Sequence, residues 1–180
     1  MRSKASVIAL ERLQFSNAYS RLETLLVLYR HLPQRAFWRL FGGEWSRCES
    51  ITRHRHVVRA LFLRRLASGG FPIFEAMTVK DRRAYDALPD RMTIFRGCYF
   101  HNRMGFSWSV VAACAAQYPF LRGFRRPTPP LLLTANVRKD RIAFVTVATG
   151  MTDIVVLPQH RRISRTEPIG EQDGAECNVA

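Results

Sequence analysis

An α+β fold is predicted for this chain, with a helical N-terminal region followed by antiparallel strands. Two patterns carry that expectation. Over residues 6–31, Val7, Leu10, Leu13, Leu22, Leu25, Leu26 and Leu28 recur mainly at three- and four-residue steps, the spacing of an amphipathic helix. From residue 93 onward the apolar residues instead come in short runs rich in Val, Ile, Leu and Phe. Gly, Pro, Asp and Ser punctuate those runs, as turns punctuate strands.

The elements follow in order. Pro33 ends the first helix, because proline lacks the backbone donor that a continuing helix needs. A shorter helix is expected over residues 34–41, stopped by Gly42 and Gly43. A third covers about residues 51–67 and is broken by Ser68, Gly69 and Gly70. It carries an apolar stripe of Val57, Val58, Leu61, Phe62 and Leu66. Its other side holds Arg53, Arg55, Arg59, Arg64 and Arg65, read as a solvated face; contact with nucleic acid or a membrane surface is the functional alternative. Thr78 is placed to cap a helix running to Leu88. Pro89 and Asp90 then turn the chain into a strand over 93–98, where Gly97 frees the backbone to turn. Ser109 is placed to cap a helix over 110–118. Strands over 131–137 and 141–147, joined by Arg138, Lys139 and Asp140, read as a hairpin. Asp153 opens the last strand, and residues 159–180 are expected as a flexible tail. The organisation is therefore a helical region over 1–77, a sheet-bearing domain over 78–158 and the tail.

A length of 180 residues suits one domain, or one domain with a helical extension. The net charge is +14, from 28 basic and 14 acidic residues, and it is dispersed rather than gathered in a tail. Such a surface attracts nucleic acid or an acidic protein without naming either. Arginine accounts for 25 of the basic residues, a bias that genome composition produces as readily as function. Cys48, Cys98, Cys114 and Cys177 have no metal-like spacing, and no apolar leader follows the basic start. Four reduced thiols in a cytosolic protein are the expectation. No stretch approaches the roughly 20 apolar residues needed to span a membrane. His54 and His56 straddle Arg55 without a third ligand, so no metal is expected. Neither a Gly-x-Gly-x-x-Gly fingerprint nor a phosphate-binding P-loop occurs.

The polar residues that interrupt the apolar runs mark a candidate site. Arg96 ends one run, Ser107 and Ser109 flank Trp108, and Asp153 begins the last run. An arginine, a serine pair and a carboxylate at strand edges suit a ligand bearing phosphate and sugar groups. Their order resembles the ADP-ribosyltransferase superfamily in its arginine–serine–glutamate form, and within it an uncharacterised phage and bacterial group. The resemblance covers roughly residues 78–158. It is carried by Leu88-Pro-Asp90, Arg96-Gly-Cys98, Asn102, Gly105-Phe-Ser-Trp-Ser109, Ala113, Ala116 and the strand sequences that follow.

That resemblance implies a split antiparallel sheet that binds NAD in a cleft between its halves and transfers ADP-ribose to a macromolecular acceptor. Asp153 would be the catalytic carboxylate. Arg96, with Gly97 behind it, would hold the phosphates or a ribose, and Ser107, Trp108 and Ser109 would order the site. Tyr118, Phe120 or Phe124 would stack on nicotinamide. The family's carboxylate is a glutamate within Glu-x-Glu or Gln-x-Glu, whereas those positions here read Met151 and Asp153. Methionine cannot guide an arginine acceptor as a carboxylate or amide does. Aspartate is shorter than glutamate by one carbon–carbon bond, about 1.5 Å. The alternative is a non-catalytic basic module, binding nucleic acid or a protein partner on a degenerate transferase scaffold.

Overall fold

The computed structural model describes residues 4–49, 51–121, 124–148 and 151–170. It is α+β, with helices preceding a six-stranded antiparallel sheet. Among the described residues, no helix is long and apolar enough to cross a membrane.

The first helical pattern forms two helices, α1 (Lys4–Phe15) and α2 (Arg21–Leu28), not the single one expected. Asn17 breaks it: its Oδ1 accepts the backbone N–H groups of Tyr19 and Ser20, each at 3.0 Å. A short polar side chain offers the backbone a partner outside the helix ladder, and here that turn wins. α3 (Gln34–Glu44) starts after Pro33 as expected but runs through Gly42 and Gly43. The backbone of Ala76 lies so close to Gly42 that a Cβ would collide with its carbonyl oxygen. That glycine therefore permits a close crossing rather than ending the helix. α4 (Arg55–Gly69) buries Val58, Leu61 and Phe62, and Gly70 ends it at φ 70°. Arg53, Arg55, Arg59 and Arg64 are exposed, while Arg65 pairs with Glu75 at 3.2 Å.

α5 (Val79–Asp86) carries the expected cap at Thr78. Its Oγ1 accepts from Asp81 N at 3.2 Å, and Asp81 Oδ2 accepts from Thr78 N at 2.8 Å. The other carboxylate oxygen accepts from Val147 N at 2.8 Å, which ties this helix to the sheet.

The strands are β1 (Arg91–Cys98), β2 (Ser107–Ser109), β3 (Leu131–Arg138), β4 (Ile142–Ala148), β5 (Met151–Val156) and β6 (Arg162–Pro168). A further helix, α6 (Ala112–Gln117), follows β2. The sheet order is β4-β5-β2-β1-β3-β6. β1 pairs with β3 along its whole length, from Arg91↔Arg138 to Cys98↔Leu131. It meets β2 at a single position, Phe95↔Ser109. Two three-stranded halves thus join at one paired position.

β3 and β4 are not a hairpin, although they are adjacent in sequence. They lie four positions apart, which is about 19 Å in a flat sheet. The four residue steps from Arg138 to Ile142 reach at most about 14 Å. The sheet must therefore bend, bringing its halves toward each other. The connection is anchored on α5: Lys139 Nζ donates to Asp86 O and Leu88 O at 2.8 and 2.9 Å, and Tyr85 OH donates to Lys139 O at 3.3 Å. The expected tail is also corrected in part, since residues 162–168 form the edge strand β6, paired with β3.

One core unites helices and sheet. Trp38, Phe41, Trp45 and Phe62 interlock, and Phe62 and Trp45 also meet Phe106 and Phe144. Offset and edge-to-face rings of this kind add about 0.5–1.5 kcal/mol per pair beyond burial. Residues on both sides of position 77 share this core. Cys48 and Cys98 are free and buried, whereas Cys114 is disulfide-bonded, so the expectation of four reduced thiols fails at Cys114.

Candidate functional site

A cavity of about 750 Å³ opens where β1, β2 and β5 come together, bordered also by residues 45–49 and 51–53. Ligand pockets fall in the range of about 300–1,000 Å³. Arg96, Gly97, Ser107, Trp108, Ser109, Tyr118 and Asp153, all singled out in the sequence, border it. Of the three candidate stacking rings, Tyr118 and Phe124 line the cavity and Phe120 does not. Tyr118 and Phe124 meet edge to face, 6.2 Å between centroids.

Arg96 stands at the single-pair junction between the sheet halves. Its Nη1 donates to Ser107 O at 2.6 Å and its Nη2 to Asn102 O at 3.2 Å. The guanidinium therefore closes the gap that the backbone ladder leaves open. Its Nε is buried and has no hydrogen-bond partner among the described residues. Burial lowers its pKa, opposed by Cys98, Asp153 and Tyr118. Gly97 does not turn the chain, since β1 continues through Cys98. A side chain there would strike Ala115 O and crowd Pro119, so glycine lets α6 lie directly on β1.

Both serines are engaged. Ser107 Oγ accepts from Trp45 Nε1 at 3.0 Å, linking the helical region to β2. Ser109 Oγ accepts from Val111 N at 3.0 Å. Val111, not Ser109, is the cap of α6, so Ser109 shapes the turn before the helix.

Asp153 is the third residue of β5, flanked in register by Ser109 on β2 and Thr146 on β4. It sits inside the strand rather than at its mouth. Its half-buried carboxylate has no hydrogen-bond or ion-pair partner among the described residues. Burial raises its pKa from 3.8 to about 6, and Arg96 pulls the other way. Tyr118 is pushed up to about 12, first by burial and then by the charge of Asp153. The cavity thus presents an unpaired carboxylate titrating near neutrality, a fixed guanidinium and an aromatic pair. Such a set can hold a ring and stabilise positive charge.

Three participants were not found in the sequence. Trp45 lies in a helical region that carried no chemical signal. Thr146, buried beside Asp153, looked like one more strand residue. Arg161 fell within the expected tail, yet it is only 8% exposed, with its guanidinium 4.7 Å from the Trp108 ring. Among the described residues, no group of three or more His, Cys, Asp or Glu side chains is placed to hold a metal ion. No known protein family, curated protein or solved structure matches this chain.

Proposed function

We propose that the chain is an ADP-ribosyltransferase-like protein that takes NAD as substrate and passes ADP-ribose to a macromolecular acceptor. One observation carries this reading: side chains from β1, β2, β5 and the end of α6 border a single cavity at the junction of the two sheet halves. Its size suits a dinucleotide's reactive half, and its unpaired carboxylate suits a sugar that becomes positively charged.

Breaking the nicotinamide–ribose bond develops positive charge on the ribose. Asp153, ionised above about pH 6, faces that charge and orients the sugar hydroxyls. Tyr118 and Phe124 supply a wall for the nicotinamide ring. Arg96 holds the edges of β1 and β2 together, and its unpaired Nε is the donor left for a ligand. Ser107 and Ser109 act as positioning residues through Trp45 and Val111.

The second reading, a non-catalytic basic module, is favoured by the same hydrogen bonds. Both terminal nitrogens of Arg96 are spent on backbone carbonyls, as in a scaffold that no longer grips a cofactor. Exposed Arg53, Arg55, Arg59 and Arg64 would then face an acidic partner.

NAD turnover by wild type, Asp153→Glu and Asp153→Asn separates the two. The transferase reading expects glutamate to keep or raise turnover and asparagine to abolish it while the protein stays folded. A misplacement of ~1 Å costs on the order of 10²-fold, so the longer side chain has room to help. No turnover by wild type or by Asp153→Glu, together with salt-sensitive nucleic-acid binding, selects the module.

A further inference from the structure

A second cluster beside the cavity is made of donors without acceptors. Arg161 is 8% exposed, and its Nε, Nη1 and Nη2 all lack a hydrogen-bond partner among the described residues. It lies over the Trp108 ring at 4.7 Å, and the indole Nε1 of Trp108 is buried and unpartnered as well. The unpartnered Nε of Arg96 is the fifth such atom. Arg161 lies close enough to Arg96 to feel its charge, and Cys98 acts on both.

Burying even one donor without a partner costs roughly 1–3 kcal/mol, and a charged group costs more. Two guanidinium groups concentrated in one buried place repel each other. Asp153 acts on Arg96 from across the cavity, but the ion pairs of the described residues leave both arginines out. An anion with several acceptor oxygens meets all of these demands together.

We propose that Arg161, Arg96 and Trp108 form a buried binding site for a phosphate group. Arg161 supplies a planar fork of donors, which matches phosphate oxygens in pairs. Trp108 holds the guanidinium flat through its ring and offers one more N–H. Burial lowers the Arg161 pKa to about 10, with Arg96 pushing the same way, so the side chain stays cationic at neutral pH. The phosphate has two sources. One is the diphosphate of NAD, which rests on the function proposed above; the other is free inorganic phosphate.

The test is the thermal midpoint of the full chain in phosphate- and sulfate-free buffer. It is titrated separately with inorganic phosphate, NAD and nicotinamide riboside, which carries no phosphate. Inorganic phosphate at ten times its Kd should raise the wild-type midpoint by about 3–6 °C and saturate. Arg161→Met should lose that shift. Without phosphate it should melt at or above wild type, because a buried unpaired charge has been replaced by apolar atoms. If Arg161→Met does not fold, Trp108→Phe keeps the ring, removes one donor and should weaken phosphate by about tenfold. A wild-type midpoint indifferent to phosphate overturns the proposal, as does a shift that survives in Arg161→Met or in Trp108→Phe at unchanged Kd. A phosphate shift with no response to NAD keeps the site and removes the transferase reading. An NAD shift unchanged in Arg161→Met, with no phosphate shift, does the reverse. Nicotinamide riboside should give no Arg161-dependent shift.

Discussion

Replacing Asp153 with asparagine should stabilise the protein at neutral pH, and the gain should vanish in acid. The carboxylate is half-buried, and burial raises its pKa from 3.8 to about 6. The folded protein therefore holds this proton more tightly than the unfolded chain does. The stability this contributes is fully present below the unfolded value and is lost as pH rises through the folded one. A difference of about two units corresponds to roughly 3 kcal/mol. Asparagine carries no charge at any pH and escapes the penalty. The variant should be about 3 kcal/mol more stable than wild type at pH 8 and within about 1 kcal/mol at pH 4. In melting temperature the pH 8 gain is about 6–12 °C for a chain of this size. Urea denaturation of both proteins at pH 4, 6 and 8 measures it. A variant no more stable at pH 8, or one whose gain is independent of pH, would refute the argument that an uncompensated carboxylate is kept in the cavity. A destabilising charge retained at a cavity wall is what a group kept for chemistry looks like.

Three further outcomes are expected. NAD cleavage should rise with pH and be half-maximal near pH 6, because Asp153 acts as the anion; a rate that falls across that range would assign the carboxyl an acid role instead. Arg96→Ala should cost about 3–5 kcal/mol in urea, beyond any loss of affinity, because two charge-assisted bonds to Ser107 O and Asn102 O disappear; a cost under about 1 kcal/mol would remove its bridging role. Deleting residues 1–77 should unfold the remainder, read as lost near-ultraviolet circular dichroism, because Trp45 and Phe62 fill the core under Phe106 and Phe144; a folded fragment that still binds NAD would show that the sheet does not need them.

What was legible in the sequence was local. The run ending in Arg96 had to be extended, because its β-branched and aromatic residues suit a pleated, half-buried surface. Thr78 had to start a helix, because its side chain can accept a backbone N–H within the first turn. The α+β class followed from a change of period along the chain. Arg96, Ser107, Ser109 and Asp153, which border the cavity, were also visible, as polar interruptions of apolar runs.

Partners in space were not visible. Arg138 to Asp140 looked like a hairpin turn, yet Lys139 finds carbonyls at the end of α5, and the chain departs for the other half of the sheet. Gly42 looked like a helix stop and is a place where two backbones nearly touch. Gly97 looked like a turn and is the seat of α6. Arg161 carried no local mark, because being buried without a partner is a property of what surrounds a side chain. Sequence determined which segments extend, coil and turn, since those choices depend on neighbours a few residues away. Tertiary structure decided which strands pair, which polar groups are already spent on the fold and which remain open to a ligand. Those outcomes depend on atoms far apart in the chain competing for the same hydrogen bonds and the same buried volume.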